Sequence, residues 1–185
     1  MASLITQDYF NQQMVTLGLR ADFVVDSDAL AVMIVEASDW VEGYCDRKFE
    51  LQSYTEIVHY PFRSKTPVAL MENWPVVSVA AIAWSNGVGG SGTYDPSLLW
   101  VSADGSLLWK NHQYHSWYGD IRYTVTYTAG YATVPSNVQR AVALKVANLM
   151  QPQYQGVQDR EVFMVTNLEA MIIDLLEQYR RERVG

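Results

Sequence analysis

The stretch VTYTAGYATVPSNVQRAVALKVANLM, Val125 to Met150, decides the fold. It continues the alternation of IRYTVTY, in which Ile121, Tyr123, Val125 and Tyr127 face one way and Arg122, Thr124 and Thr126 the other. That is the period of a half-buried strand. The alternation stops at Gly130, a residue that can take positive φ without a Cβ penalty. Val134-Pro135 then restricts the chain to an extended entry. Ser136-Asn-Val-Gln139 has the spacing of a capping box, in which two side chains satisfy each other's orphan backbone donors. Strand, sharp turn and helix are therefore expected in quick succession, as a corner joining a β-rich body to a helical layer.

Before this corner, residues 51–128 read as β-rich. In LQSYTEIVHY, Tyr54, Val58 and Tyr60 share one side and Leu51 and Ile57 the other. VVSVAAIAW is a β-branched run leading into a glycine-rich loop. In LLWVSADGSLLWK, two apolar runs flank Asp104-Gly105, which predicts a hairpin closed by a tight two-residue turn. After the corner, residues 135–183 read as helical. A second capping box at Thr166-Asn-Leu-Glu169 precedes an apolar seam of Leu168, Met171, Ile172, Leu175, Leu176 and Tyr179. Arg180, Arg181 and Arg183 follow where the helix dipole is negative.

Residues 5–48 are also helical in pattern. Thr6 is placed to cap a short helix, and Ser27 to cap a second one carrying Leu30, Met33, Ile34, Ala37, Val41, Tyr44 and Cys45 on one face. Opposite that stripe, Asp28, Asp39, Glu42 and Asp46 fall within about 60° of one another on a wheel of roughly 100° per residue. This is either a solvated face or an acidic surface turned towards something to be repelled or steered. Val32 and Val35 interrupt it, as a chain–chain contact would. The expected class is α+β: one domain, residues 1–185, with N- and C-terminal helices packed as a layer around an antiparallel β-rich middle.

Composition limits the function. The chain has 185 residues, 49% apolar and 18% charged, enough for a sizeable core. Its net charge of −7 is carried by residues 1–60, with ten acidic side chains against three basic ones; residues 61–185 hold ten of each. With no basic patch to displace counterions, specific nucleic-acid binding is not expected. A single cysteine, Cys45, excludes an internal disulfide and a four-cysteine zinc site, and its place on an apolar face suits a small core residue. No basic-then-apolar leader and no long apolar run appear, so the chain is expected to be soluble, without a membrane segment.

The sequence carries no recognisable catalytic pattern. Gly87-Val-Gly89-Gly90-Ser-Gly92 spells a dinucleotide-type glycine string, but Thr-Tyr-Asp-Pro follows rather than a helix N-terminus, so a flexible loop is expected. His112 and His115, with Asp120 nearby, make a poor metal set next to a surface-loop reading. No serine elbow or marked carboxylate pair stands out. Neither a cofactor nor a catalytic residue is expected. The cluster Trp109, Tyr114, Trp117 and Tyr118 could stack on sugar rings, giving a carbohydrate- or receptor-binding module; alternatively it covers a sheet edge or meets another subunit.

The order of the pieces resembles the head–tail connector (head-completion or adaptor) proteins of tailed bacteriophages. DSDALAVMIVEASDWVEGYCDRKFE is similar to that family's acidic-capped helix, with Asp46-Arg47-Lys48-Phe49 standing where Gly-Arg-x-Phe is more usual. ENWPVVSVAAIAW resembles its Pro-Val-x-Ser-Val strand, VTYTAGYATVPSNVQRAVALKVANLM its Tyr-x-Ala-Gly-Tyr turn and helix, and LLEQYRRERVG its closing helix. The resemblance implies a structural virion protein, made in the host cytoplasm and placed at the head–tail interface. It implies a homo-oligomeric ring, a dodecamer, between the portal protein and the tail, through which DNA passes without specific binding. On that reading Asp28, Asp39, Glu42 and Asp46 would line the lumen, and Trp117, Tyr118, Tyr179, Arg180, Arg181 and Arg183 would meet portal, tail or neighbouring subunits.

Overall fold

The computed structural model describes residues 3–16, 26–60, 68–102, 105–109, 121–150 and 168–180. The chain is α+β, as expected, and divides into two compact units. One comprises residues 1–49 and 134–185 and is helical; the other, residues 50–133, is built of strands.

The helical unit contains α1 (Gln7–Thr16), α2 (Ser27–Cys45), α3 (Ser136–Met150) and α4 (Leu168–Glu177). Thr6 caps α1 as predicted: its carbonyl accepts from the Phe10 N–H and its Oγ1 from the Tyr9 N–H, both at 3.1 Å. The cap of α2 is Asp26 rather than Ser27. Asp26 Oδ1 accepts from the Asp28 N–H at 3.2 Å and its carbonyl from the Leu30 N–H at 2.9 Å. Both residue types can cap, but a carboxylate adds a favourable charge at the positive end of the dipole. At α3 the Pro135 carbonyl accepts the first helical bond, from the Gln139 N–H at 3.0 Å. Pro135 thus holds the cap position and Ser136 is the first helical residue, one step off the capping-box reading; proline has no N–H to leave unsatisfied there. Thr166, of the second predicted box, lies outside the described residues.

The predicted stripe of α2 is buried at Leu30, Ile34, Ala37, Val41 and Cys45. Ser38 sits among them with its hydroxyl satisfied twice, donating to the Ile34 carbonyl at 2.7 Å and accepting from the Leu4 N–H at 3.1 Å. The segment before α1 is thereby tied to the middle of α2. In α3, Val138, Ala141, Val142, Ala143, Leu144 and Val146 are buried on almost every side, as suits a central helix. In α4 only Leu168, Ile172 and Leu176 are fully buried, and Met171 of the predicted seam is partly exposed.

The second unit has two antiparallel sheets. Strands β1 (Gln52–Tyr60), β3 (Val76–Ser85), β4 (Ser91–Tyr94) and β7 (Ile121–Ala129) form one, in the order β1-β7-β3-β4. Strands β2 (Val68–Leu70), β5 (Leu99–Val101) and β6 (Ser106–Trp109) form the other, in the order β2-β6-β5. Met71, Val76, Ile82, Leu99, Leu107, Val125, Tyr127 and Ala129 make one core from both. The two sequence periodicities hold. Val125, Tyr127 and Ala129 of β7 are buried in alternation; in β1 Tyr54 and Val58 pack on the core and Ile57 is exposed, as is Leu51 just before the strand, while the Tyr60 side chain lies outside what is described.

A hairpin joins β5 to β6 as expected, with a loop longer than the two residues predicted; Asp104 itself lies outside the described residues. The Ser102 N–H donates to the Ser106 carbonyl at 2.9 Å, and the Gly105 N–H to the Ser102 carbonyl at 3.1 Å. Three residues therefore separate the last pair, with Gly105 at φ 82°. A three-residue loop ending in a left-handed residue is among the commonest hairpin connections after the two-residue turn, and glycine suits that position.

At the corner itself, Gly130 has φ 108° and donates its N–H to the Pro75 carbonyl at 3.0 Å. A Cβ there would lie 2.2 Å from the Glu50 carbonyl oxygen. The neighbouring Tyr131 forms a parallel bridge with Glu50, so the two ends of this unit run side by side.

Candidate functional site

The densest set of polar and aromatic contacts lies where α2 ends. Asp46 adopts φ 53°, in the left-handed region where glycine is usual. Its N–H reaches the Gly43 carbonyl at 3.3 Å, and the Arg47 N–H reaches the Glu42 carbonyl at 3.2 Å. This pair of bonds is a Schellman motif. Asp46 therefore does the conformational work of the glycine in the Gly-Arg-x-Phe pattern, aspartate being among the side chains that tolerate this region best.

The turn sends alternate side chains inward and outward. Arg47 (5% exposed) and Phe49 (0%) are buried, and the guanidinium carbon lies 5.1 Å from the Phe49 ring centroid. Tyr179 meets Phe49 edge-on, with centroids 5.8 Å apart. Lys48 points outward and pairs with the Glu42 carboxylate, whose other oxygen accepts from the Phe49 N–H at 3.4 Å. Glu42 is thus a brace for the turn rather than an open charge. Glu42→Ala is expected to cost about 1–2 kcal/mol, from lost charge-assisted hydrogen bonds, whereas Asp39→Ala should stay within about 0.5 kcal/mol. Urea denaturation of the two variants makes the comparison.

One turn back along α2, Trp40 and Tyr44 stack with centroids 5.5 Å apart. Lys145 Nζ lies 4.1 Å from the Trp40 centroid, and the Arg180 guanidinium carbon 5.5 Å from that of Tyr44. The stacked pair is therefore flanked by two cations. The Tyr44 hydroxyl donates to Glu177 Oε2 at 3.2 Å. Desolvation first, then that hydrogen bond and the Glu177 charge, hold the Tyr44 phenol above its ordinary value, with Arg180 opposing. Burial pushes the Cys45 thiol up to about 11 despite Arg47 and Arg180 nearby. A thiol so placed is a core residue and a poor nucleophile.

The predicted site residues therefore separate. Asp28 is exposed at the first turn of α2, Asp39 is half-buried, Glu42 braces the turn and Asp46 forms it. Tyr179 and Arg180 contact their own helical unit, at Phe49 and Tyr44. Trp117, Tyr118, Arg181 and Arg183 lie outside the described residues, as do Tyr114, His112, His115 and Asp120. Trp109 ends β6. Sequence reading missed the Lys145–Trp40–Tyr44–Arg180 set. Its only signal was Trp40 and Tyr44 at i, i+4, a spacing that also describes ordinary packing.

In the β unit, the glycine string forms the loop between β3 and β4, closed by Asn86. Asn86 is buried, and its Oδ1 accepts from the Val88 N–H at 3.2 Å and the Gly90 N–H at 2.8 Å. The Asn86 N–H returns to the Gly90 carbonyl at 3.0 Å. Two amides that a phosphate would need are already used by this side chain. A second polar knot joins Glu56 to the buried Tyr127. The Tyr127 hydroxyl donates to Glu56 Oε1 and accepts from the Asn73 N–H at 3.2 Å, while the Glu72 N–H reaches Glu56 Oε2 at 2.9 Å. Burial, reinforced by the Glu56 contact, raises the Tyr127 phenol strongly. Among the described residues, no cluster of three or more metal-ligating side chains exists, and no helix is long and apolar enough to cross a membrane.

No protein-family profile matches the sequence, and no curated protein sequence matches it either. Solved structures do match, over the whole chain. A chain in the virion of a native gene transfer agent particle aligns at TM-score 0.65 and 16% identity, covering 100% of this chain and 95% of its own. A chain in the neck of the empty particle, computed with C6 symmetry, aligns at TM-score 0.59 and 17% identity, covering 100% and 96%. The neck of the native particle, computed with C12 symmetry, holds a chain at TM-score 0.57 and 15% identity, with the same coverage. At these identities the likeness is one of fold. It spans both units and is consistent with the resemblance to head–tail connector proteins.

Proposed function

We propose that this protein is a structural subunit of the neck of a phage-like particle: a head–tail connector that assembles as a ring between portal and tail. The observation that carries the reading is the end-to-end fold match to chains of gene transfer agent necks. Those necks were computed with C6 and C12 symmetry, which supports a homo-oligomeric ring here as well. The role is mechanical rather than enzymatic. Portal and tail proteins are the partners on the two faces of the ring, and DNA passes through its centre. A chain of net charge −7 suits a passage that must not retain DNA.

The test is electron microscopy of particles made with and without the chain. Particles lacking it are expected to accumulate as DNA-leaking, tailless heads, and purified chain added back should appear as ring density at the portal vertex. Intact tailed particles in its absence would overturn the proposal.

A further inference from the structure

The exposed face of α2 is not a uniform acidic wall. Turned away from the buried stripe are Asp28, Val32, Glu36 and Asp39, with Val35 beside them. Val32, at the middle of this face, is 66% exposed. The one ion pair among the described residues is Lys48–Glu42, so Asp28, Glu36 and Asp39 have no ion-pair partner among them. A surface that only repels DNA gains nothing from an exposed valine at its centre. An apolar centre rimmed by charge is instead the anatomy of a protein contact.

The charge selects the occupant. Two copies of this face would repel each other, so the contact is not self-complementary. The densest cationic run in the sequence is Arg180-Arg181-Glu182-Arg183, followed by Val184. Its first guanidinium is held over Tyr44 of its own copy, which fixes where the run begins. Arginine and carboxylate pair with strong, directional hydrogen bonds, and Val184 supplies an apolar side chain to meet Val32.

We propose that the α2 face of one subunit receives the Arg181–Val184 run of a neighbouring copy. The inference rests on the ring reading above. Face and run are different patches of one chain, so the contact is head-to-tail, and it repeats from copy to copy until the ring closes.

Disulfide trapping in the full chain tests this directly, since Cys45, the sole cysteine, is buried. The double variant Val32→Cys with Val184→Cys, mildly oxidised at high concentration, is expected to give a reducible ladder of multimers. Adding Asp28→Lys and Asp39→Lys should reduce the ladder at least tenfold. Closure only within one chain, or no cross-link at all, overturns the proposal. Rings seen by mass measurement without the cross-link sink this contact alone. A ladder that never closes into rings keeps the contact and sinks the ring reading. Val32→Asp gives a second readout: a contact loses assembly, whereas a channel wall would accept one more carboxylate.

Discussion

Gly130→Ala is expected to leave the β unit unfolded or barely stable. The substitution meets two independent penalties. At φ 108° the backbone lies where a side chain is strained, at roughly 1–3 kcal/mol. The new Cβ would also fall 2.2 Å from the Glu50 carbonyl oxygen, 2.6 Å from its carbon and 3.0 Å from Leu51 Cα. All three are main-chain atoms and cannot rotate aside, so the strand start must move and the Gly130–Pro75 hydrogen bond goes with it. Together these amount to about 3–5 kcal/mol, a large share of a typical domain's stability. Urea denaturation followed by tryptophan fluorescence should show the loss. Gly43→Ala is the control: a Cβ on that exposed residue of α2 meets nothing within 4 Å, and alanine should stabilise the helix by about 0.5–1 kcal/mol. A Gly130→Ala chain as stable as the parent would mean the corner is not held as described.

The second large effect is expected at Phe49. Its ring is fully buried, stacked beneath the Arg47 guanidinium and edge-on to Tyr179. Phe49→Ala should cost about 3–5 kcal/mol, from lost transfer energy and the cavity left behind. The damage goes further, because water would reach the Arg47 guanidinium and release the Tyr179 end of α4. Hydrogen exchange at residues 176–180 should therefore accelerate, while amides of β7 stay protected. A global loss with no preference for the end of α4 would contradict the packing described.

Much of this architecture was legible before any coordinates. Period-two alternation in β7 and β1 and the period-3.6 stripe of α2 are consequences of burying one face, and burial is what hydrophobic pattern encodes. Cap positions were less legible. Asp26, Ser27 and Asp28 are all competent caps in a row, so sequence fixes the helix start only to within a residue. Sheet order was not legible at all, because β1, β7 and β3 come together from distant parts of the chain. The contacts inside the glycine string were not legible either, because composition does not show that Asn86 folds back to accept from the Val88 and Gly90 N–H groups. A wheel places Glu42 beside Asp39, but it cannot show that the Schellman turn brings Lys48 and the Phe49 N–H back to the Glu42 carboxylate.

The bridge between Glu50 and Tyr131 has an evolutionary consequence. A segment that enters and leaves at adjacent points is topologically an insertion, and such segments can be lengthened, shortened or exchanged without rethreading their host. Selection on the β unit, whatever surface it must match, can then proceed without re-optimising the packing of the four helices. Related chains should consequently differ most in length between Glu50 and Thr133, and share the Gly130 corner where that segment is hung.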